Sequence, residues 1–184
     1  SKFARMPAPE RKPTDLTELV QGAVMLQKVG QPGVTIKADI PGGEVAVDLD
    51  ATMISQALMN LIKNAGEAIE SLKEKGAPSN LDPQIQVTMA ELSDEVRITI
   101  ADNGIGLPED RARLFEPYVT TRSEGTGLGL PIVKKIIEEH GGTLVLDDAP
   151  VFEGQTHFGA MAVITLPMTE SQFAPQEQEE VTQQ

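Results

Sequence analysis

A glycine-rich segment that leads directly into a helical pattern is the strongest constraint in this sequence. Residues 122–142 read RSEGTGLGLPIVKKIIEEHGG. A helix that begins in such a loop presents unpaired backbone N–H groups and the positive end of its dipole, which suits an anion such as phosphate. Pro131 is tolerated in the first turn, and Gly141 and Gly142 terminate the helix. The segment therefore predicts an anion-binding helix N-terminus.

Two familiar phosphate-binding folds do not fit this segment. A P-loop needs a lysine after its last glycine, whereas Leu130 follows Gly129. A Rossmann turn counted from Gly127 needs a third glycine where Ile132 stands. Both folds also need a strand before the glycines, and the preceding residues FEPYVTTRSE have no strand periodicity. The positive field around a bound phosphate must therefore come from other groups.

The composition fits a single soluble domain that does not bind nucleic acid. The chain has 184 residues, 40% of them hydrophobic, and a formal net charge of -13. Nucleic-acid binding relies on clustered Lys and Arg, which this charge opposes. The absence of cysteine excludes a disulfide framework and thiolate metal sites. No apolar run approaches the roughly 18 residues that a membrane span needs.

Hydrophobic periodicity divides the chain into one central domain and two ends. Residues 1–13, rich in proline and charge, predict a linker, residues 14–168 the domain, and residues 169–184 a disordered acidic tail. The segment 102–126 lacks strong periodicity, which in a compact domain is typical of a functional loop such as a lid. The predicted helices cover 14–29, with Thr14 as N-cap, 50–72 and 128–140, and the predicted strands 34–40, 44–49, 84–92, 95–102, 142–148 and 158–167.

The helix from Asp50 carries an unusual polar stripe beside its apolar face. Asn60 and Asn64 lie four residues apart in mid-helix, where Asn has poor propensity and no capping role. An Asn side-chain oxygen is a hard, neutral ligand that could share a Mg²⁺ with water and phosphate oxygens. An ordinary polar helix face explains the stripe equally well. The predicted core face comprises Ile54, Leu58, Leu61, Ile62, Ala65, Ile69 and Leu72, and the stripe comprises Gln56, Asn60, Asn64, Glu67 and Ser71.

A second polar feature follows the predicted strand 95–102. The strand ends in Asp102, and Gly104 and Gly106 come two and four residues later. Such glycines allow a positive φ and a close approach of the backbone to a flat ligand. A carboxylate there could accept a hydrogen bond from an exocyclic amine such as that of adenine. Taken alone, the segment is better explained as a strand followed by a tight Asn-Gly turn.

The order of these features resembles the ATP-binding catalytic domain of sensor histidine kinases, of the GHKL superfamily. The asparagine pair with Ala65, the Asp102-x-Gly104-x-Gly106 segment, Phe115 with the later TTR, and the glycines from Gly125 are similar to that family's N, G1, F and G2 boxes. The resemblance covers about residues 14–167. The stretches FARMPAP and NLIKNAGEAI are similar to nitrogen-regulation sensor kinases of the NtrY type.

This resemblance implies a Bergerat fold, an α/β two-layer sandwich in which three helices cover one face of a mixed β-sheet, with a mobile ATP lid from Phe115 to Glu124. ATP and Mg²⁺ are the implied ligands. Asn64 would bind Mg²⁺, and Asp102 would accept from the adenine amine. The catalytic residues would be Asn60 and Arg122, and the further ATP-binding residues would be Lys63, Gly104, Gly106, Thr120, Thr121, Gly125, Thr126, Gly127, Leu128, Gly129 and Leu130.

Two positions depart from the family pattern. Many histidine kinases have a basic residue where Glu67 stands, so neutralisation of the phosphates would depend more on Lys63 or Arg122. Related ATPases have a glutamate where Asn60 stands, as a base for water. An amide cannot accept a proton usefully at neutral pH, so transfer to a delivered nucleophile is favoured over hydrolysis.

The resemblance also implies partners that this chain does not contain. The histidines are His140, expected to interact with a helix C-terminus, and His157, expected on the surface of a hairpin, and neither has the context of a phosphoacceptor. The implied acceptor is a His on the dimerisation domain of the same parent protein, followed by an Asp of a response-regulator receiver domain. The implied location is cytoplasmic, without membrane contact by this domain, in a parent that could be anchored in the inner membrane. A GHKL-type ATPase and a nucleotide-sensing binding module stay open as alternatives.

Overall fold

A mixed five-stranded sheet covered by three helices on one face forms the body of the protein. The computed structural model describes residues 6–116 and 129–168. Its helices are α1 (Leu16–Gly30), α2 (Ala51–Lys75) and α3 (Gly129–Glu139), with a short 3₁₀ helix at Arg111–Arg113. Its strands are β1 (Lys12–Asp15), β2 (Thr35–Asp39), β3 (Ala46–Leu49), β4 (Gln84–Glu91), β5 (Glu95–Asp102), β6 (Thr143–Asp148) and β7 (Ala160–Pro167).

The strand order of the large sheet is β2-β4-β5-β7-β6. β2 is parallel to β4, and the other three pairs are antiparallel, so the sheet is mixed as expected. The predicted pairing of the strands around Ser93-Asp94 is confirmed, with Thr88 opposite Thr99 in the β4–β5 hairpin. β1 and β3 form a separate antiparallel ribbon. None of the described helices is long and apolar enough to cross a membrane.

The core lies between α2 and the inner face of the sheet. Strands β4 and β5 alternate, so that Ile85 and Val87 face inwards beside Ile98 and Ile100 of the neighbouring strand. Burying each such side chain contributes about 1.5–3 kcal/mol before entropy costs. The predicted core face of α2 is confirmed, because its members are all at most 9% exposed: Ile54, Leu58, Leu61, Ile62, Ala65, Ile69 and Leu72.

The structure differs from the predicted elements at the N-terminal end. Thr14 is not the N-cap of α1, because Asp15 takes that position and Thr14 lies in β1. The Asp15 carboxylate accepts hydrogen bonds from the backbone and hydroxyl of Thr17 and from the Val45 backbone, three donors that a Thr hydroxyl could not serve. Part of the predicted linker, Lys12 and Pro13, also lies in β1. The pairing with β3 that creates this strand is not visible in local periodicity.

Candidate functional site

Helix α2 forms the base on which the predicted site residues stand. The Asp50 side chain caps its first turn by accepting from the Met53 backbone at 3.1 Å, and Gly76 ends it in a left-handed conformation. Asn60 and Asn64 are half-buried, and Lys63 is exposed, on the side of α2 away from its core face. One turn of helix, about 6 Å, separates the two asparagines. The predicted polar stripe is not uniform, however, because Gln56 is exposed whereas Ser71 is buried.

The loop after Asp102 docks on α2 one turn beyond Asn64. The Ile105 backbone N–H donates to the Ala68 carbonyl at 2.9 Å. A Cβ on Gly104 would lie 2.6 Å from the backbone nitrogen of Ile69, so only glycine fits. Gly106 has a φ of 81°, which an L side chain rarely adopts. The structure therefore explains both predicted glycines, although the close approach of Gly104 is to the helix backbone.

Asp102 is a buried carboxylate with one oxygen held by the protein. The side chain is 5% exposed, and its Oδ1 accepts from the backbone N–H groups of Gly104 at 2.8 Å and Ala160 at 3.3 Å. Among the described residues, none donates a hydrogen bond to Oδ2. Burial raises the pKa of Asp102 to about 6, against the opposing effect of these two hydrogen bonds and of the nearby His157. The arrangement leaves one acceptor oxygen for a ligand that can donate.

Asn103, next to Asp102, is a buried residue that supports the loop and that the sequence analysis did not identify. Its side chain is 1% exposed, accepts from the Gln84 backbone at 2.9 Å and donates to the Asp82 carbonyl at 2.8 Å. These bonds tie the loop to the start of β4. Asn103 therefore uses its amide to join two segments distant in sequence.

The connection before β7 forms the opposite wall of this loop. His157 Nε2 lies 2.7 Å from the Gly104 carbonyl oxygen, and Gly159 approaches the loop so closely that a Cβ would lie 2.6 Å from the Gly104 nitrogen. The expectation of a surface His157 is wrong, since the residue is half-buried against the loop. Sequence periodicity gave no signal for this contact. Gly159, inside the predicted strand 158–167, was the signal that could have indicated it, because a glycine within a strand often marks a close backbone approach.

The N-terminus of α3 lies beside Asn64. A Cβ on Gly129 would be 3.8 Å from Asn64 Nδ2. Pro131 is buried in the first turn, and Leu130 packs against the main core. The structure thus brings the predicted Asn64, Gly129 and Leu130 together. The loop after Asp102 contacts α2 at Ala68, about one helical turn from Asn64.

Several predicted site residues cannot be placed in this arrangement. Phe115 is half-buried against the core, with Lys134 Nζ 5.5 Å from its ring centroid. Arg111, which precedes it, forms an ion pair with Asp148 at 2.7 Å and so ties the start of the predicted lid segment to β6. The rest of the lid and its binding residues lie outside the described residues: Thr120, Thr121, Arg122, Gly125, Thr126, Gly127 and Leu128.

His140 joins two helix ends. Its side chain is 3% exposed, Nδ1 donates to the Ile136 carbonyl at 2.7 Å, and Nε2 accepts from the Asp50 backbone at 3.0 Å. Both ring nitrogens are therefore used, with the proton on Nδ1. The contact with a carbonyl of the last turn of α3 agrees with the expected role at a helix C-terminus.

Asn64 could supply one ligand to a metal ion whose other ligands come from water and from a bound phosphate. In residues 6–116 and 129–168 there is no group of three or more His, Cys, Asp or Glu side chains that could hold a metal ion. Asn64 offers one neutral oxygen beside a helix N-terminus. A hard cation such as Mg²⁺ keeps most of its ligands as water and phosphate oxygens, so one amide fits this chemistry.

Comparisons with known proteins agree with this geometry. The family model described as "Histidine kinase-, DNA gyrase B-, and HSP90-like ATPase" matches residues 49–170. The nitrogen regulation protein NtrY of Azorhizobium caulinodans is 46% identical over 157 residues, which are 84% of this chain and 20% of that protein. The chain spans about a fifth of the length of the curated relatives it matches.

Solved structures share the fold. The catalytic domain of histidine kinase ThkA has a TM-score of 0.68 at 27% identity, covering 89% of this chain and 99% of that one. Full-length ShkA in complex with AMPPNP has a TM-score of 0.70 at 26% identity, covering 90% and 33%. ThkA in complex with the response regulator protein TrrA has a TM-score of 0.68 at 24% identity, covering 91% and 45%.

These matches and the geometry of the site define the class. The chain belongs to the family of histidine kinase-, DNA gyrase B- and HSP90-like ATPases, and the expected fold is confirmed. Within this family it is an ATP-binding catalytic domain of the sensor histidine kinase type. The expected similarity to nitrogen-regulation sensor kinases of the NtrY type is confirmed as well.

Proposed function

We propose that this domain presents the γ-phosphoryl group of Mg²⁺-bound ATP to a His on the dimerisation domain of the same parent protein. The phosphoryl group would then pass to an Asp of a response-regulator receiver domain. The observation that carries the proposal is Asp102, a buried carboxylate with one oxygen available. The loop that follows it docks on α2 at Ala68, one helical turn from Asn64, which lies beside the N-terminus of α3. The complex of ThkA with TrrA supports the last partner.

The site residues divide between the two ends of the nucleotide. Asp102 Oδ2 would accept from the adenine amine, in the loop that Gly104 and Gly106 shape. Asn64 would hold Mg²⁺, which when bound neutralises the phosphate charge. Asn60, Lys63 and the N-terminus of α3 would orient the phosphates. The further phosphate contacts are proposed for Thr120, Thr121, Arg122, Gly125, Thr126, Gly127, Leu128, Gly129 and Leu130.

Transfer is favoured over hydrolysis by the chemistry of Asn60. Related ATPases carry a carboxylate at this position, and an amide cannot take a proton from water at neutral pH. Catalysis by this domain would therefore consist of positioning and electrostatic stabilisation, without a covalent intermediate on the chain. We also propose a cytoplasmic location without membrane contact by this domain, in a parent that could be anchored in the inner membrane.

A transfer assay with a supplied acceptor tests this function. The chain is mixed with the separately produced dimerisation domain of its parent, Mg²⁺ and ATP labelled on the γ-phosphate. We expect label on the acceptor His, loss of transfer with Asn64→Ala or Asp102→Asn, and full transfer with the matched control Asp94→Asn, which changes an exposed carboxylate in the β4–β5 turn.

Two other outcomes would contradict the proposal. Rapid release of free phosphate with no label on the acceptor would identify a GHKL-type ATPase. Tight ATP binding with neither transfer nor hydrolysis would identify a nucleotide-sensing module.

A further inference from the structure

His157 contacts the loop that carries Asp102 from the side opposite α2. Its Nε2 lies 2.7 Å from the carbonyl oxygen of Gly104. A carbonyl oxygen only accepts hydrogen bonds, so Nε2 must carry the proton. The ring is half-buried and stacks on Phe158 with 6.3 Å between the ring centroids. His157 is thus a donor held in place by its own neighbours.

The peptide unit between Gly104 and Ile105 is held by hydrogen bonds on both sides. Its carbonyl accepts from His157, and its N–H donates to the Ala68 carbonyl of α2 at 2.9 Å. The N–H on the other side of Gly104 donates to Asp102 Oδ1 at 2.8 Å. Glycine has wide rotational freedom, so a peptide at Gly104 held only by α2 could turn about its flanking bonds. Because Gly104 also carries the N–H that orients the carboxylate, a shift of the Gly104 backbone would move that N–H.

Other residues of the connection before β7 also hold the loop that carries Asp102. Ala160 donates its backbone N–H to Asp102 Oδ1 at 3.3 Å, and the Gly159 backbone packs against the loop where a Cβ would not fit. The Gly159 carbonyl accepts from the Ala149 backbone at 2.9 Å, which fixes the connection to the end of β6. His157 therefore projects from a segment that is itself held in place. It contributes a side-chain hydrogen bond to the loop, whereas Gly159 and Ala160 contribute backbone contacts.

From this geometry we infer that His157 is a positioning residue for the nucleotide base. By holding the Gly104 carbonyl it fixes Asp102 so that Oδ1 is occupied by backbone donors and Oδ2 faces the 6-amino group of adenine. The inference rests on the proposed function, because it assigns a role in selecting the base at the same site. Guanine presents a carbonyl oxygen at position 6, which a carboxylate oxygen repels. A well-oriented Asp102 therefore favours adenine, and a loosely held one discriminates less.

Binding of ADP and GDP tests this role. Dissociation constants of both nucleotides are measured by calorimetry at pH 8 for the wild-type chain, His157→Leu, His157→Gln and the exposed-neighbour control Thr156→Ala. Removing one hydrogen bond predicts ADP binding about three- to tenfold weaker in His157→Leu, with GDP binding unchanged. His157→Gln should restore ADP affinity to nearly the wild-type value, because its amide can donate from a similar position.

The outcomes separate positioning from general support of the fold. Equal losses for ADP and GDP, no loss for ADP, or a folded His157→Gln that fails to recover ADP affinity would each overturn the inference. A wild-type chain that binds neither nucleotide would instead contradict the proposed function itself. Should His157→Leu fail to fold, nitrogen-15 spectra of the wild-type imidazole decide: a proton on Nε2 supports the contact with Gly104, and a proton on Nδ1 overturns it.

Discussion

Asp102 carries opposite consequences for folding and for binding. Its pKa is raised from 3.8 to about 6 because burial penalises the charged form. The shift favours the folded state fully below pH 3.8, and that benefit is lost as pH rises from 3.8 to about 6. At neutral pH the unliganded protein therefore bears a buried charge that costs up to about 3 kcal/mol. The same charge is what an adenine amine would require.

Replacing Asp102 by asparagine should stabilise the unliganded protein and weaken ADP binding. The Asn oxygen can still accept from Gly104 and Ala160, while the buried charge disappears. Its NH₂ group, however, would face the adenine amine, donor against donor. We expect the free energy of unfolding at pH 8 to rise by about 1–3 kcal/mol, and ADP affinity to fall by about 30-fold or more.

Urea unfolding and calorimetry measure these two quantities, with Asp94→Asn as the matched control that should change neither. A less stable Asp102→Asn protein at pH 8 would show that the charge is better compensated than its contacts suggest.

The affinity for ADP should depend on pH through this carboxyl group. A protonated Asp102 would place a hydrogen on the oxygen that must accept, so binding selects the ionised form. With a pKa of about 6 in the free protein, the dissociation constant should increase about tenfold between pH 7 and pH 5. Calorimetric titrations at several pH values test this, and Asp102→Asn should lack the dependence. A flat wild-type profile down to pH 5 would exclude Asp102 as the acceptor.

Helix α2 is the element that links the separate parts of the site. Its N-cap Asp50 meets His140 at the end of α3, its middle carries Asn60 and Asn64, and its later turns hold the loop after Asp102 through Ala68. The residues proposed for both ends of the nucleotide are therefore supported by the same helix. The contact between His140 and Asp50 is the part of this link that can be removed without touching the proposed binding residues.

Replacing His140 by leucine should lower stability and leave the site intact. Leucine keeps much of the buried volume but leaves the Asp50 N–H and the Ile136 carbonyl without partners. Two such groups predict a loss of about 2–4 kcal/mol in the free energy of unfolding, measured by urea denaturation. ADP affinity of the folded protein should change less than about twofold. The control Glu138→Gln, in an exposed ion pair with Lys134, should cost less than about 1 kcal/mol. A His140→Leu protein as stable as the control would contradict this role.

The elements that could be predicted are those whose signal is local. The core face of α2 and the alternation in β4 and β5 follow from helix and strand periods, and the structure confirms them. β3 lies within the predicted strand 44–49, but β1 and its pairing with β3 could not be predicted, because a four-residue strand acquires its identity from a partner distant in sequence. The same reason hid His157 and Asn103, whose contacts join segments 53 and 19 to 21 residues apart. The motif residues of the proposed site could be predicted from the sequence, whereas the residues that hold them in place could not.

At the scale of the whole molecule, the titrating carboxylates have opposite effects on how the free energy of unfolding depends on pH. The pKa of Asp50 is lowered, chiefly by the Glu10 backbone hydrogen bond, and that of Asp15 is lowered, chiefly by the Thr17 hydroxyl. Both carboxylates stabilise the folded state fully above pH 3.8, and this contribution is lost as pH falls through their folded pKa values. Asp102 acts in the other direction, because its raised pKa lowers the free energy of unfolding as pH rises from 3.8 to about 6. The net charge of -13 adds repulsion at high pH.

The unliganded protein should therefore be most stable at about pH 4–5 rather than at neutral pH. The free energy of unfolding, measured in urea from pH 3 to pH 9, should decline on both sides of this range. Asp102→Asn should remove much of the decline between pH 4 and pH 7 while leaving the acid limb unchanged. A wild-type maximum at or above pH 7.5 would contradict this balance of charges.

The pairing of β1 with β3 also determines how a mechanical load would enter the domain. β1 lies antiparallel to β3. Two residues before β1, the Glu10 backbone N–H donates to the Asp50 carboxylate at 2.9 Å, and Arg11 contacts the Glu139 carbonyl at the end of α3. Tension along this strand would be resisted in shear by several hydrogen bonds at once instead of opening them one by one. A pull or twist applied ahead of Glu10 would therefore be transmitted as a rigid displacement to the start of α2 and the end of α3, rather than being absorbed by a hinge.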